Sequence, residues 1–183
     1  MKYEVHIKGL EKCALLFAKP PFEIKTRVGG QTKNLSLEDQ AKSSLYFNGK
    51  GVFAPARWFE GAMMKTASDF KLEGKKTFKD LVKMGVFVKP AEILLKTKQK
   101  KYEVFARIMR KQTGEAQSIA NAKYNDWEFE FEIETLDPNL DYQQSTKDDP
   151  KIIEILKRAG YSKGVGGWHP RFGRFEVVSY KKI

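Results

Sequence analysis

The sharpest hydrophobic pattern in the chain is a run of period two at residues 127–134, Trp-Glu-Phe-Glu-Phe-Glu-Ile-Glu. Alternation sends successive side chains to opposite faces of a strand. Trp127, Phe129, Phe131 and Ile133 therefore share one face, and Glu128, Glu130, Glu132 and Glu134 the other. Weaker alternation predicts strands at residues 2–9, at Tyr102-Glu103-Val104-Phe105-Ala106-Arg107-Ile108-Met109, and over 174–181. Val86-Phe87-Val88 predicts a further short strand ahead of Pro90, and Asn48-Gly49 between Tyr46-Phe47 and Val52-Phe53 predicts a hairpin. Helical spacing appears at Phe59, Met63, Thr66 and Phe70, behind Pro55, which a first helical turn tolerates. Phe78, Leu81 and Val82 predict a short helix ending near Gly85. A second long helix follows from Ile152, Ile153, Leu156 and Ala159, with Asp148 and Asp149 to cap it, Pro150 in its first turn and Gly160 to end it. Residues 11–45 read as irregular, broken at Lys19-Pro20-Pro21 and Val28-Gly29-Gly30.

The resulting order is strand, long insertion, helix, several strands, helix, strand. It predicts an α+β fold in one domain over 1–183, with a ferredoxin-like or RRM-like βαββαβ core. The segments 19–45 and 96–124 are elaborations of that core, one after the first strand and one in the middle. Such a core packs its helices on one sheet face and leaves the other open to a single strand of RNA or DNA.

Charge adds direction. Thirty-four lysines and arginines stand against 23 acids, a net charge of +11, with an isoelectric point near 9.6. Such a domain is drawn to polyanions. An anionic membrane is the lesser expectation. The sequence has no apolar run near the ~18–20 residues a bilayer span needs, and no basic amphipathic helix or lipidation signal. The single cysteine, Cys13, leaves no internal disulfide, and two histidines with one cysteine make a poor zinc set. The expectation is a cytoplasmic protein with no metal and no cofactor.

The basic stretch 96–111 holds Lys96, Lys98, Lys100, Lys101, Arg107, Arg110 and Lys111 around the single acid Glu103. Part of that charge is expected to pair with the glutamate row across a sheet. The row itself repels phosphate, so nucleic acid is expected elsewhere. The densest candidate is Gly164-Val165-Gly166-Gly167-Trp168-His169-Pro170-Arg171-Phe172-Gly173-Arg174-Phe175. Glycines allow close backbone approach, arginines clamp phosphates, and aromatics stack on bases. Arg171 and Arg174 are the expected clamps, with Trp168 and Phe172 as stacking surfaces and His169 as a further contact. Lys98, Lys100 and Lys101 form an electrostatic patch; Arg107, Arg110, Lys123 and Tyr124 are secondary contacts. Arg27 and Lys33 lie between the breakers of the first insertion. No Walker motif, paired-carboxylate metal signature or Gly-x-Ser-x-Gly elbow occurs.

Three segments together carry a resemblance. They are Val5-His6-Ile7-Lys8-Gly9-Leu10, then Asn48-Gly49 with Val52-Phe53-Ala54-Pro55-Ala56-Arg57-Trp58-Phe59-Glu60-Gly61-Ala62, and a Gly-Arg-Phe-Glu-Val ending at 173–177. The set resembles the RAMP superfamily, in particular the backbone subunits of CRISPR effector complexes and their phage and mobile-element relatives. The resemblance implies a non-catalytic RRM-like subunit that assembles head to tail along single-stranded RNA. By it, 19–45 is a thumb-like insertion, and Arg57 with the 164–174 loop approaches phosphates. Other members are metal-independent endoribonucleases whose loop reads Gly-hydrophobic-Gly, a short spacer, then Gly-hydrophobic-Gly. Here Gly164-Val165-Gly166 fits the first half, and Phe175 replaces the last glycine of the second.

The sequence therefore predicts binding of single-stranded RNA, or else single-stranded DNA, by a homo-oligomer along the strand or a subunit of a larger complex. The first alternative is an endoribonuclease using His169 as base, for which no second catalytic group stands nearby in sequence. A further alternative is a viral or mobile-element protein that docks onto a defence complex.

Overall fold

A computed structural model describes residues 1–19, 35–110, 114, 116–143, 145 and 148–183, with 109, 110 and 117 as backbone only. In chain order the described elements are β1 (Lys2–Gly9), β2 (Leu15–Leu16), α1 (Leu37–Ser43), β3 (Phe53–Pro55), α2 (Arg57–Ala67), α3 (Lys79–Gly85), β4 (Val86–Lys89), β5 (Glu92–Leu94), β6 (Glu103–Arg110), β7 (Ala116–Tyr124), β8 (Glu128–Thr135), a 3-10 turn (Pro138–Asp141), α4 (Lys151–Ser162) and β9 (Phe175–Lys182). The fold is mixed α+β, built on antiparallel sheets.

The alternating runs become the main sheet, in the order β4-β8-β1-β9. Tyr3, Val5 and Ile7 of β1 and Phe129, Phe131 and Ile133 of β8 are all buried on one face. The helices α2 and α4 cover that face. Phe59 of α2 is fully buried, its ring centroid 4.7 Å from that of Phe131 and 5.6 Å from that of Phe129. Ile152, Ile153, Ile155, Leu156 and Ala159 bury one side of α4.

The other sheet face is a lattice of ion pairs. Lys89 and Lys2 reach Glu134 at 2.6 and 4.0 Å, and His6 and Lys8 reach Glu128 at 3.0 and 3.3 Å. His6 and then Lys8 hold the Glu128 carboxyl below its usual range, as Lys89 and Lys2 do for Glu134. Lys96 pairs with Glu130, so the basic 96–111 stretch supplies one partner to the glutamate row. The stretch also makes a second sheet, β2-β7-β6, in which β6 pairs with β7 from Glu103↔Lys123 to Arg110↔Ala116. Helix α1 braces it: Gln40 Oε1 and Ser44 Oγ accept from the Ala120 and Ala122 N–H groups at 3.1 and 2.9 Å.

Four local expectations change. The 11–45 region is not wholly irregular: it contains β2 and α1, the latter capped by Ser36, whose Oγ accepts from the Asp39 N–H. Pro55 ends β3 opposite Glu92 and does not open a helix; α2 starts after Ala56 with no side-chain cap. Pro150 is itself the N-cap of α4, while Asp149 bonds Lys157 at 2.6 Å. Gly160 lies inside α4, where a Cβ would stand 2.3 Å from the Phe175 carbonyl oxygen. It is glycine so that β9 can approach the helix. Arg27, Lys33 and most of the 19–45 insertion lie outside the described residues. Among those described, no helix is long and apolar enough to cross a membrane.

Candidate nucleic-acid interface

The glycine-rich segment is a loop pinned at its base and raised at its tip. Helix α4 stops because Gly164 adopts φ +69°, with the Lys163 and Gly164 N–H groups both closing on the Ala159 carbonyl at 2.9 Å. The base is then tied to the stretch around β2. Gly167 N–H donates to Leu16 O at 2.7 Å, Gly173 N–H to Ala14 O at 2.8 Å, and Val165 N–H to Gly173 O at 2.9 Å. Buried Cys13 sits beneath, its Sγ accepting from the Arg174 N–H at 3.3 Å. The tip, 168–172, is thereby lifted toward the second sheet. Trp168 holds φ +52°, a left-handed conformation that costs a non-glycine residue about 1–2 kcal/mol.

At the tip an aromatic cluster forms across two remote segments. Phe105 of β6 meets Phe172 at 5.2 Å and Trp168 at 6.2 Å between ring centroids, and Trp168 meets Phe172 at 5.8 Å. Two guanidinium groups lie on the indole, Arg107 at 4.5 Å and Arg171 at 5.2 Å. Trp168 is still 44% exposed. The Arg107 Nε is shielded from solvent and has no hydrogen-bond partner among the described residues. An unsatisfied donor of this kind marks a place where an acceptor is missing.

On the other side of the same loop is a cleft of about 300 Å³ between α2 and the end of α4. Arg57, Lys65, Lys163 and His169 supply its charge, and among the described residues no carboxylate lines it. Arg57 Nη2 donates to the Tyr46 hydroxyl at 2.9 Å, which fixes its direction. Burial lowers the His169 pKa from 6.5, and the charge of Lys65 lowers it further. The folded chain thus favours the neutral ring. As pH falls through about 6.5 the unfolded chain takes up a proton that the folded chain resists, so stability declines there. His169→Gln is expected to flatten that part of the stability–pH curve, as measured by urea melts, and the His169 NMR titration midpoint is expected below 6.5.

The remaining predicted contacts divide. Lys98, Lys100 and Lys101 are exposed on a turn braced by Asp126, whose carboxylate accepts from the Lys98 N–H at 2.8 Å. Lys123 is committed to Glu103 at 2.6 Å. Tyr124 is buried, its ring 5.8 Å from that of Phe17, so its side chain belongs to the core side of β7. Of the two expected clamps, Arg171 is exposed and Arg174 half-buried. The Arg174 backbone is hydrogen-bonded to Leu10 and Cys13, and its Nε, like that of Arg107, is shielded from solvent with no hydrogen-bond partner among the described residues. Arg110 ends β6, and its side chain lies outside the described residues. His6 stands on the far sheet face beside Glu128, so the two histidines share no site. A larger hollow of about 570 Å³ on that face includes Glu4, Glu130 and Glu132, a poor surface for phosphate.

Sequence reading missed Phe105, Lys65 and Lys163 as site residues. Phe105 and Arg107 are two apart on a strand, and Arg57, Gly61 and Lys65 are four apart on a helix. Those spacings put each set on one face. Comparison with known protein families and with curated proteins gives no match to either.

Proposed function

We propose that this protein binds single-stranded RNA without cleaving it, through the raised tip of its glycine-rich loop. The observation that carries the reading is the exposed Trp168 ringed by Phe105 and Phe172 and overlaid by Arg107 and Arg171. Bases stack on aromatic rings and on guanidinium planes alike, and arginine adds charge toward the phosphates. The fold supports an RRM-like assignment. Strand order β4-β8-β1-β9, with α2 between β1 and β4 in sequence and α4 between β8 and β9, is compatible with a ferredoxin-like βαββαβ core. The mode differs from binding across the open sheet face, because that face carries the glutamate row. In this reading the protein belongs with the RAMP-like backbone subunits, and copies line up along the strand.

The test is fluorescence anisotropy with single-stranded RNA and DNA over a salt series. Trp168→Ala is expected to weaken binding by ~1–3 kcal/mol, roughly 5- to 150-fold, at every salt concentration. Lys101→Ala is expected to weaken it evenly across sequences and to lower the salt slope by about one unit. Absence of binding to either strand at low salt overturns the reading.

One observation favours a second reading, metal-independent RNA cleavage: burial and the neighbouring Lys65 charge lower the His169 pKa, which favours the neutral form that a general base needs. RNA cut by the wild type and left whole by His169→Ala supports it; RNA intact after long incubation with the wild type removes it.

A further inference from the structure

A glycine inside a helix costs about 1 kcal/mol against alanine, and packing is the usual reason for one. Gly160 of α4 has that reason in Phe175. Gly61 of α2 does not: a Cβ built there meets no atom of the described residues within 4 Å. The space above it is the cleft already described, so the bare backbone of α2 forms part of the cleft wall. Arg57, Gly61 and Lys65 follow one another at spacings of four, which aligns both cations with the glycine on a single helix face. Lys163 and His169 close the cleft from the α4 side. Among the described residues, Lys65 and Lys163 make no ion pair.

We propose that this cleft is a seat for a phosphate monoester, carried by the end of an RNA strand or by a free nucleotide, with Gly61 letting the phosphate approach the helix. The strand-end form rests on the RNA-binding reading above; the nucleotide form does not. The charge argument separates a terminal phosphate from an internal one. A diester carries one negative charge, whereas a monoester carries about 1.5–2 near neutral pH. Three permanent cations and a histidine around about 300 Å³, with no acid among the described lining residues, suit the dianion. A dianion beside His169 also favours its protonated form, so all four groups facing the ligand then carry positive charge.

The experiment compares one oligoribonucleotide sequence bearing phosphate at either end with the same sequence bearing hydroxyls at both. Phosphate-ended RNA is expected to bind about tenfold tighter, the size of one charge-assisted contact. Gly61→Leu fills the cleft with a good helix former and is expected to erase the preference while leaving hydroxyl-ended RNA bound as before. Lys65→Gln is a second variant that reads the same preference without altering the backbone. Inorganic phosphate and AMP are expected to shift the His169 imidazole resonances and to compete with the phosphate-ended strand. Equal affinity for all ends, together with an unmoved His169 signal, overturns the seat while RNA binding stands. A preference that survives both variants overturns it as well. If no RNA binds, yet AMP shifts His169 in the wild type and not in Gly61→Leu, the RNA reading falls and the seat stands as a nucleotide site.

Discussion

Gly173→Ala is expected to destabilise the protein by about 3–4 kcal/mol, a sum of backbone strain and overpacking. Gly173 adopts φ +71°, and a Cβ there would stand 1.8 Å from the Val165 carbonyl oxygen. Neither side can yield cheaply. The Gly173 N–H is bonded to Ala14 O, and its own carbonyl accepts from Val165 N–H, so the residue is held between two segments of backbone. Gly49→Ala is the matching control, with φ +82° and no atom of the described residues within 4 Å of its Cβ. It carries the strain alone, about 1–2 kcal/mol. Urea melts of the two variants separate the terms; equal losses would show that the loop relaxes around the added methyl. Because the loop base positions Trp168 and His169 together, Gly173→Ala is also expected to weaken RNA binding and the phosphate-end preference at once, whereas Trp168→Ala and Gly61→Leu affect them separately.

Phe59→Ala is expected to cost about 3–5 kcal/mol. Its ring is fully buried and is the point where α2 meets three strand residues, Phe129, Phe131 and Phe175, at centroid distances of 5.6, 4.7 and 6.2 Å. These three neighbours are sheet residues, so the vacated space closes on that side only by moving a strand. A lowered urea midpoint with little change in its slope is the expected result. A loss below about 1 kcal/mol would mean that α2 resettles on the sheet. The RNA affinity of the folded fraction is expected to persist, since Phe59 faces the sheet and the candidate interface lies along the loop.

Both predictions rest on features that differ in how far sequence reveals them. Phe59 was legible: its spacing with Met63 and Thr66 marks a helix face, and the alternation at 127–134 marks the sheet face that receives it. Gly173 was not. As one of four glycines in a short stretch it looked like its neighbours, and only its φ of +71° and the closeness of the Val165 carbonyl make it irreplaceable. Gly160 and Gly61 show the same ambiguity. Both sit in helices, yet one is glycine because Phe175 presses on it and the other borders open space. The burial of Tyr124 was not legible for the related reason that a strand pattern gives two faces without naming which is covered. Here the face holding Tyr124 lies against Phe17.

The sequence by itself determined the alternating strands, the two long helices, the segregated glutamate row and the basic excess. Each of these is periodic or compositional, and neighbours along the chain are enough to state it. Tertiary structure alone decided which basic residues meet the glycine-rich loop. Arg107 reaches Trp168 because the loop base is hydrogen-bonded to Ala14 and Leu16, beside and within β2, which is itself paired with β7 and so with β6. The cleft beside Gly61 likewise exists only where α2 and the end of α4 lie together. Contacts of that kind depend on sheet register and backbone bonds between distant segments, and no local period encodes them.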